Sequence, residues 1–248
     1  MPLSWSICHA RRLTGQRRAA GSNRQLGYVL AFVAGAANAG GFLAVRQYTS
    51  HMTGIVSAMA DHAAVGAFRL LAGGGGAVLS FVLGAACCAL IVNFARRRRL
   101  HSTYALPLLF EALLLLAFGV LGGRLASVEL LIVPATVALL CFMMGLQNAV
   151  ITKLSNAEIR TTHITGVLTD IGIELGRALY WNEDGAAPRV VANRDRLRLL
   201  AGLAASFFMG GVAGATGFAR LGYAATVPLA FILVALAIVP VVDDVRRA

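Results

Sequence analysis

Charge is what this chain lacks most. Only 13% of its 248 residues are Asp, Glu, Lys or Arg, while 58% are hydrophobic. An ordinary soluble domain carries about 25% charged and about 45–50% apolar residues. These figures exclude a water-soluble globule with one core, and equally a disordered, collagen-like or coiled-coil chain. The mean hydropathy of +0.74 agrees. Acidic residues are scarcest of all, 11 against 22 Lys and Arg, for a net charge of +11. Such an excess in a soluble protein would suggest nucleic acid. Here the basic residues lie between apolar runs, at Arg11, Arg12, Arg17, Arg18 and again at Arg96 to Arg99. No soluble basic domain remains to dock on a duplex, so no nucleic-acid partner is expected.

Cysteine is also sparse. Cys8, Cys87, Cys88 and Cys141 have no framework spacing, and in apolar runs thiols behave as small hydrophobes. No Walker motif, dinucleotide fingerprint or metal-protease helix occurs. No cofactor, metal site or catalytic residue is expected, and the chain does not read as an enzyme. The first 26 residues are basic and polar, without the apolar stretch and cleavage site of a signal peptide. They read as a cytoplasmic tail.

Eight apolar segments can be drawn: 27–45, 52–71, 74–95, 104–121, 130–151, 163–180, 199–219 and 222–242. The second carries Asp61 and His62; the sixth carries Asp170, Glu174 and Arg177. A charge at mid-bilayer costs at least about 2.5–3.5 kcal/mol, so neither reads as a simple lipid-facing span. Four short motifs then recur in the same order. Gly35 to Ala39 matches Gly145 to Ala149 as G-x-x-N-A, and His51 to Gly54 matches His163 to Gly166 as H-x-T-G. Ser80 to Gly84 matches Ser206 to Gly210 as S-F-x-x-G, and Pro107 to Phe110 matches Pro228 to Phe231 as P-L-x-F. The offsets are 110, 112, 126 and 121 residues, with the jump falling at the polar loop 181–198. Ordered recurrence of this kind signals two structural repeats, drawn here as 27–125 and 126–248 within one membrane domain.

Charge decides the topology. Eight spans from an inside N-terminus would leave 14 basic residues inside and 8 outside, with Arg96 to Arg99 outside. If the second and sixth segments do not cross, 18 lie inside and only Arg46, Arg69, Arg124 and Arg220 outside. The second arrangement obeys the positive-inside rule far better. It predicts an all-α membrane protein of about six transmembrane helices plus two broken or re-entrant segments. Three spans per half make the repeats inverted, an architecture common among secondary transporters.

The run Gly145 to Asn148, then Arg160 to Gly166 and Asp170, resembles the YoaK family of bacterial integral membrane proteins, which carry a domain of unknown function. Ser50 to Gly54 is similar to the family's first-half motif. The resemblance spans roughly residues 27–242 and implies a six-helix integral membrane protein. It implies no substrate. Where the family often has Asn after Thr-Gly, this chain has Ile55.

Function must be argued from the residues. His51 and His163 each precede a Thr and a Gly (Thr53, Gly54; Thr165, Gly166) at the start of an apolar segment. A helix that starts inside the membrane aims free N–H groups and about half a positive charge at that point. An imidazole there adds a donor that ionises near neutral pH. Two such starts could cradle a small anion, or each His could serve only to tie the repeats together. Asn38, Asn148 and Gln147 sit within predicted spans, as substrate contacts or as amides bridging helices. Asp170 and Glu174 share a helical face, with Arg177 three residues beyond Glu174; they read as an ion pair or as a proton or cation site. Glu111 is a lone carboxylate one turn after Pro107, a candidate for ion coupling by default. Gly73 to Gly76 reads as a packing surface or a hinge.

The leading expectation is a secondary transporter or permease for a small anionic solute in the bacterial inner membrane. Its partners are that solute and the bilayer, with a homo-oligomer left open. The alternatives are a membrane-embedded enzyme acting on a lipid or isoprenoid, and a scaffold or sensor. The topology is directly testable. A reporter fused after Ala248 should read cytoplasmic, and a periplasmic reading would overturn the six-span arrangement.

Overall fold

The computed structural model describes residues 20–123, 129–154, 162–182 and 188–246. The basic cluster Arg11 to Arg18, Cys8, Arg124, the motif residues Arg160 and Thr161, and the middle of the 181–198 loop lie outside these. Among the described residues the chain is all-helical. In order, the helices are α1 (Ala20–Val45), α2 (Met52–Ala64), α3 (Phe68–Arg97), α4 (Ala105–Gly122), α5 (Glu129–Leu154), α6 (Ile164–Leu179), α7 (Arg194–Leu221) and α8 (Thr226–Val245). A 3₁₀ turn, Gly222–Ala225, joins the last two.

Five stretches are long and apolar enough to cross a membrane, and the last of them, Arg194–Val245, holds both α7 and α8. Helices α2 and α6 have 13 and 16 residues. At 1.5 Å per residue they extend roughly 20–24 Å, short of a hydrocarbon core about 30 Å thick.

Several boundaries differ from the hydropathy reading. Helix α1 begins at Ala20, inside the segment assigned to the tail, because polar residues can extend a helix beyond its apolar part. The 52–71 segment breaks after Ala64, where Gly66 takes a left-handed φ of +71° and the chain turns at once into α3. Gly73 to Gly76 are therefore interior to α3, and the break in the chain falls before them at Gly66. Glycine is well tolerated inside membrane helices.

The helices pack in crossed pairs. Helix α1 lies along α7, α3 lies along α5, and α4 lies along α8. The short helices lean on their successors, α2 on α3 and α6 on α7. Apolar side chains cannot drive this packing when lipid tails are equally apolar, so close van der Waals contact must. Glycine supplies it. A Cβ on Gly145 would overlap the carbonyl oxygen of Phe81, and one on Gly84 would overlap that of Phe142. The other crossed pair repeats the arrangement: Gly35 abuts the Phe207 carbonyl and Gly210 the Phe32 carbonyl. In all four helices the glycine follows its phenylalanine by three residues.

Between these pairs lies a buried interior of Leu30, Val33, Leu108, Leu115, Met143 and Leu146. Phe118, Phe218 and Tyr223 pack ring against ring at one end, with centroids 5.7–6.3 Å apart. Leu90, Phe208 and Phe231 are each 71% exposed, as an outward face meeting lipid requires. At the far end of α8, Asp244 accepts from the backbone N–H groups of His101 and Ser102, both at 2.8 Å. That carboxylate ties α8 to the turn that opens α4.

The glycine contacts predict a sharp contrast. Gly84→Ala and Gly145→Ala should each lower stability by about 1–3 kcal/mol, the usual penalty of overpacking. Gly76→Ala meets nothing within 4 Å and should leave stability unchanged. Thermal unfolding of the purified protein in detergent measures both.

Candidate functional site

The loop after α1 does not run on past the bundle. It folds back, and Ser50 Oγ donates to Asn38 Oδ1 at 2.9 Å. Asn38 lies seven residues before the end of α1, about 10 Å along the helix axis. Helix α2 therefore starts well inside the layer that α1 defines. The second half does the same: Thr162 Oγ1 donates to Asn148 Oδ1, six residues before the end of α5. Asn148 is further held by its amide, which donates to the Met144 carbonyl at 2.9 Å.

His51 and His163 stand at the N-caps of α2 and α6. Neither side chain caps its helix. Both rings are exposed, and both helix starts open into one cavity of about 960 Å³. Its walls come almost wholly in pairs, 110, 112 or 126 residues apart: Asn38 and Asn148, Ser50 and Thr162, His51 and His163, Thr53 and Thr165, Phe81 and Phe207. Gly166, Tyr48 and Thr152 complete the polar and close-packed part of the lining. The amide Nδ2 of Asn38 has no partner among the described residues and is a free donor. First-turn N–H groups, two imidazoles, an amide and the hydroxyls of Thr53 and Thr165 thus converge, and the cavity is lined by no carboxylate.

Five residues expected near the site lie elsewhere. Gly54 sits beneath the His51 ring, where a Cβ would collide with it, and faces a second cavity. Gln147 is fully buried and donates to the Leu30 carbonyl at 3.2 Å, bridging α5 to α1. Glu174 is buried, with Oε1 2.9 Å from Arg177 and Oε2 accepting from the Asn193 backbone N–H at 2.8 Å. Asp170 pairs with Arg196 at 3.1 Å. Both carboxylates stitch α6 to the start of α7, where Asn193 caps the helix by accepting from the Arg196 N–H. Glu111 lies inside the bundle on α4, fully buried, its oxygens unpartnered among the described residues. No group of three or more His, Cys, Asp or Glu among the described residues could hold a metal ion.

The family model for a protein of unknown function, DUF1275, matches residues 26–239. The chain belongs to this family. YoaK is a member of it, so the resemblance read from the H-x-T-G motifs holds. No curated protein and no solved structure matches the chain.

Eight cavity residues are not among the site candidates read from the sequence, and four of them carry a signal there. Ser50 and Thr162 carried a signal, since a hydroxyl precedes both histidines and the repeat is S/T-H-x-T-G. Phe81 and Phe207 carried one too, as the aromatic positions of S-F-x-x-G. The carboxylates of α6 and the histidines should separate cleanly in stability measurements. Glu174→Ala should cost about 1–3 kcal/mol, as losing a buried acceptor does. His51→Ala and His163→Ala, at exposed rings, should each change unfolding free energy by no more than about 0.5 kcal/mol.

Proposed function

We propose that the chain is a secondary transporter or permease of the bacterial inner membrane, built from two inverted repeats, that binds a small anion between its two H-x-T-G helix starts. The observation that carries this is the single cavity onto which both starts open. Its donors match an anion: helix N-termini present N–H groups and a positive dipole end, and each imidazole adds a ring N–H.

The inversion is supported by the crossed packing. The first helix of each half lies along the third helix of the other, and the glycine–carbonyl contacts are the same at both crossings. An axis that exchanges the halves would carry Gly35 onto Gly145 and Phe81 onto Phe207. On this reading α2 and α6 enter from opposite faces without crossing, and the six longer helices span. The binding site then lies on the pseudo-axis, as in other inverted-repeat carriers. Glu111 is the carboxylate left for a coupling proton, because Asp170 and Glu174 are engaged in joining α6 to α7.

A thermal-shift screen of the purified protein against phosphate, sulfate, nitrate and short-chain carboxylates tests the proposal, since a ligand of the folded state raises its apparent stability. At least one anion should raise the midpoint. His51→Ala and His163→Ala should each abolish that shift while the unliganded midpoint stays put. An anion shift that survives both substitutions would remove this cavity as the site.

A further inference from the structure

A second cavity, of about 900 Å³, lies between α2, α3 and the N-terminal part of α5. Its floor is apolar: Ile55, Met59, Ala77, Val133 and Val137. One wall is the flat glycine face of α3, where a Cβ on Gly73 or Gly76 would meet nothing within 4 Å. The rim is basic. Arg46, Arg69 and His62 line it, and no acidic residue does. Neither arginine has an acidic partner among the described residues. Arg46 is held in place by the backbone, in a left-handed conformation at φ 55°, with its N–H closing the end of α1 on the Phe42 carbonyl at 2.8 Å.

The same seam in the other half is shut. Residues 112 and 126 positions beyond His62, Ala58, Leu70 and Gly76 are Glu174, Asp170, Arg196 and Gly202. Asp170 pairs with Arg196, and Tyr28 of α1 fills the face of Gly202. So the fold does not require this opening. One half closes the seam with ion pairs and a tyrosine. The other leaves it open, apolar within and basic at the edge.

We propose that this groove binds one anionic phospholipid, with an acyl chain along the glycine face of α3 and the phosphate between Arg46 and Arg69. Guanidinium groups match phosphate oxygens in a bidentate fork. The apolar floor suits a hydrocarbon chain and offers a wholly soluble anion nothing. The mouth is flanked by exposed Phe68, Leu70 and Leu79, and α3 is the least buried of the five apolar stretches, at 22%. The ligand therefore reaches the groove sideways, from the bilayer. Tyr48 and His51 line both cavities, so the lipid rests against the wall of the solute cavity without entering it. The proposal stands whether or not the protein transports.

Native mass spectrometry and thermal shift of the purified protein test it, with phosphatidylglycerol, phosphatidylcholine, a free fatty acid and inorganic phosphate as separate probes. One phosphatidylglycerol should be retained per chain and should raise the midpoint; the other three should do neither. Arg46→Gln combined with Arg69→Gln should weaken retention about tenfold or more. Gly76→Leu places its side chain in the open groove, so it should block retention while the lipid-free midpoint is unchanged. Equal retention of phosphatidylcholine would overturn the proposal. So would binding of the fatty acid or of phosphate alone, or retention of phosphatidylglycerol that survives both sets of substitutions. His163→Ala, outside this groove, should leave lipid retention intact, which separates a failure here from a failure of the solute site.

Discussion

Everything in this bundle hangs on backbones approaching through glycine. In lipid the helices gain nothing by hiding leucines from their surroundings, and a crossing is held by the contact it makes. At Gly35, Gly84, Gly145 and Gly210 the helix backbone lies directly against the carbonyl of a phenylalanine on its neighbour. Close Cα–H···O approaches of this kind recur at helix interfaces and each contributes a fraction of a kcal/mol. The same glycines set the depth of the site. With α1 drawn against α7 and α5 against α3, Asn38 and Asn148 come to face one space, and Phe81 and Phe207 wall it. Packing and site are one arrangement seen at two places.

Much of this was legible in the sequence, because the relevant signals are local or repeated. Scarce charge and long apolar runs gave the membrane class. The recurrence of H-x-T-G led to two histidines in one cavity. Other features were legible but overlooked. The F-x-x-G spacing occurs on all four packing helices, yet was read only on two of them. What stayed hidden depends on contacts between distant segments. Arg177 is three residues from Glu174 and visible as a partner; Arg196 and the Asn193 N–H arrive from beyond a polar loop. Gln147 adjoins Asn148 in sequence but points away from the cavity by one helical step, about 100°, which adjacency in a list of polar residues conceals. The end of α2 was misplaced for a different reason. Hydropathy averages over a window, whereas the chain turns at the single residue Gly66.

The two halves also differ where their motifs do not repeat. The seam beside α6 is stitched by carboxylates and arginines, and the seam beside α2 is left with His62 and Arg69 at an open mouth. The backbone crossings of the two halves match, as they must for the halves to interlock. Positions outside the crossings are free to differ. That freedom lets ion pairs close the seam in one half while the corresponding seam stays open in the other.

The fold-back that lodges the starts of α2 and α6 inside the bundle makes each half dependent on its counterpart. A helix start carries N–H groups with no intrahelical acceptor, and such groups cannot face acyl chains without a cost of several kcal/mol each. Here both starts are sheltered by walls drawn from both halves. Residues 20–123 inserted alone would leave the α2 start turned toward hydrocarbon on the side where Asn148, Thr162 and Phe81's partner helix now stand. Separate expression of the halves therefore yields two incomplete solvents, each missing the polar wall that the other was meant to provide.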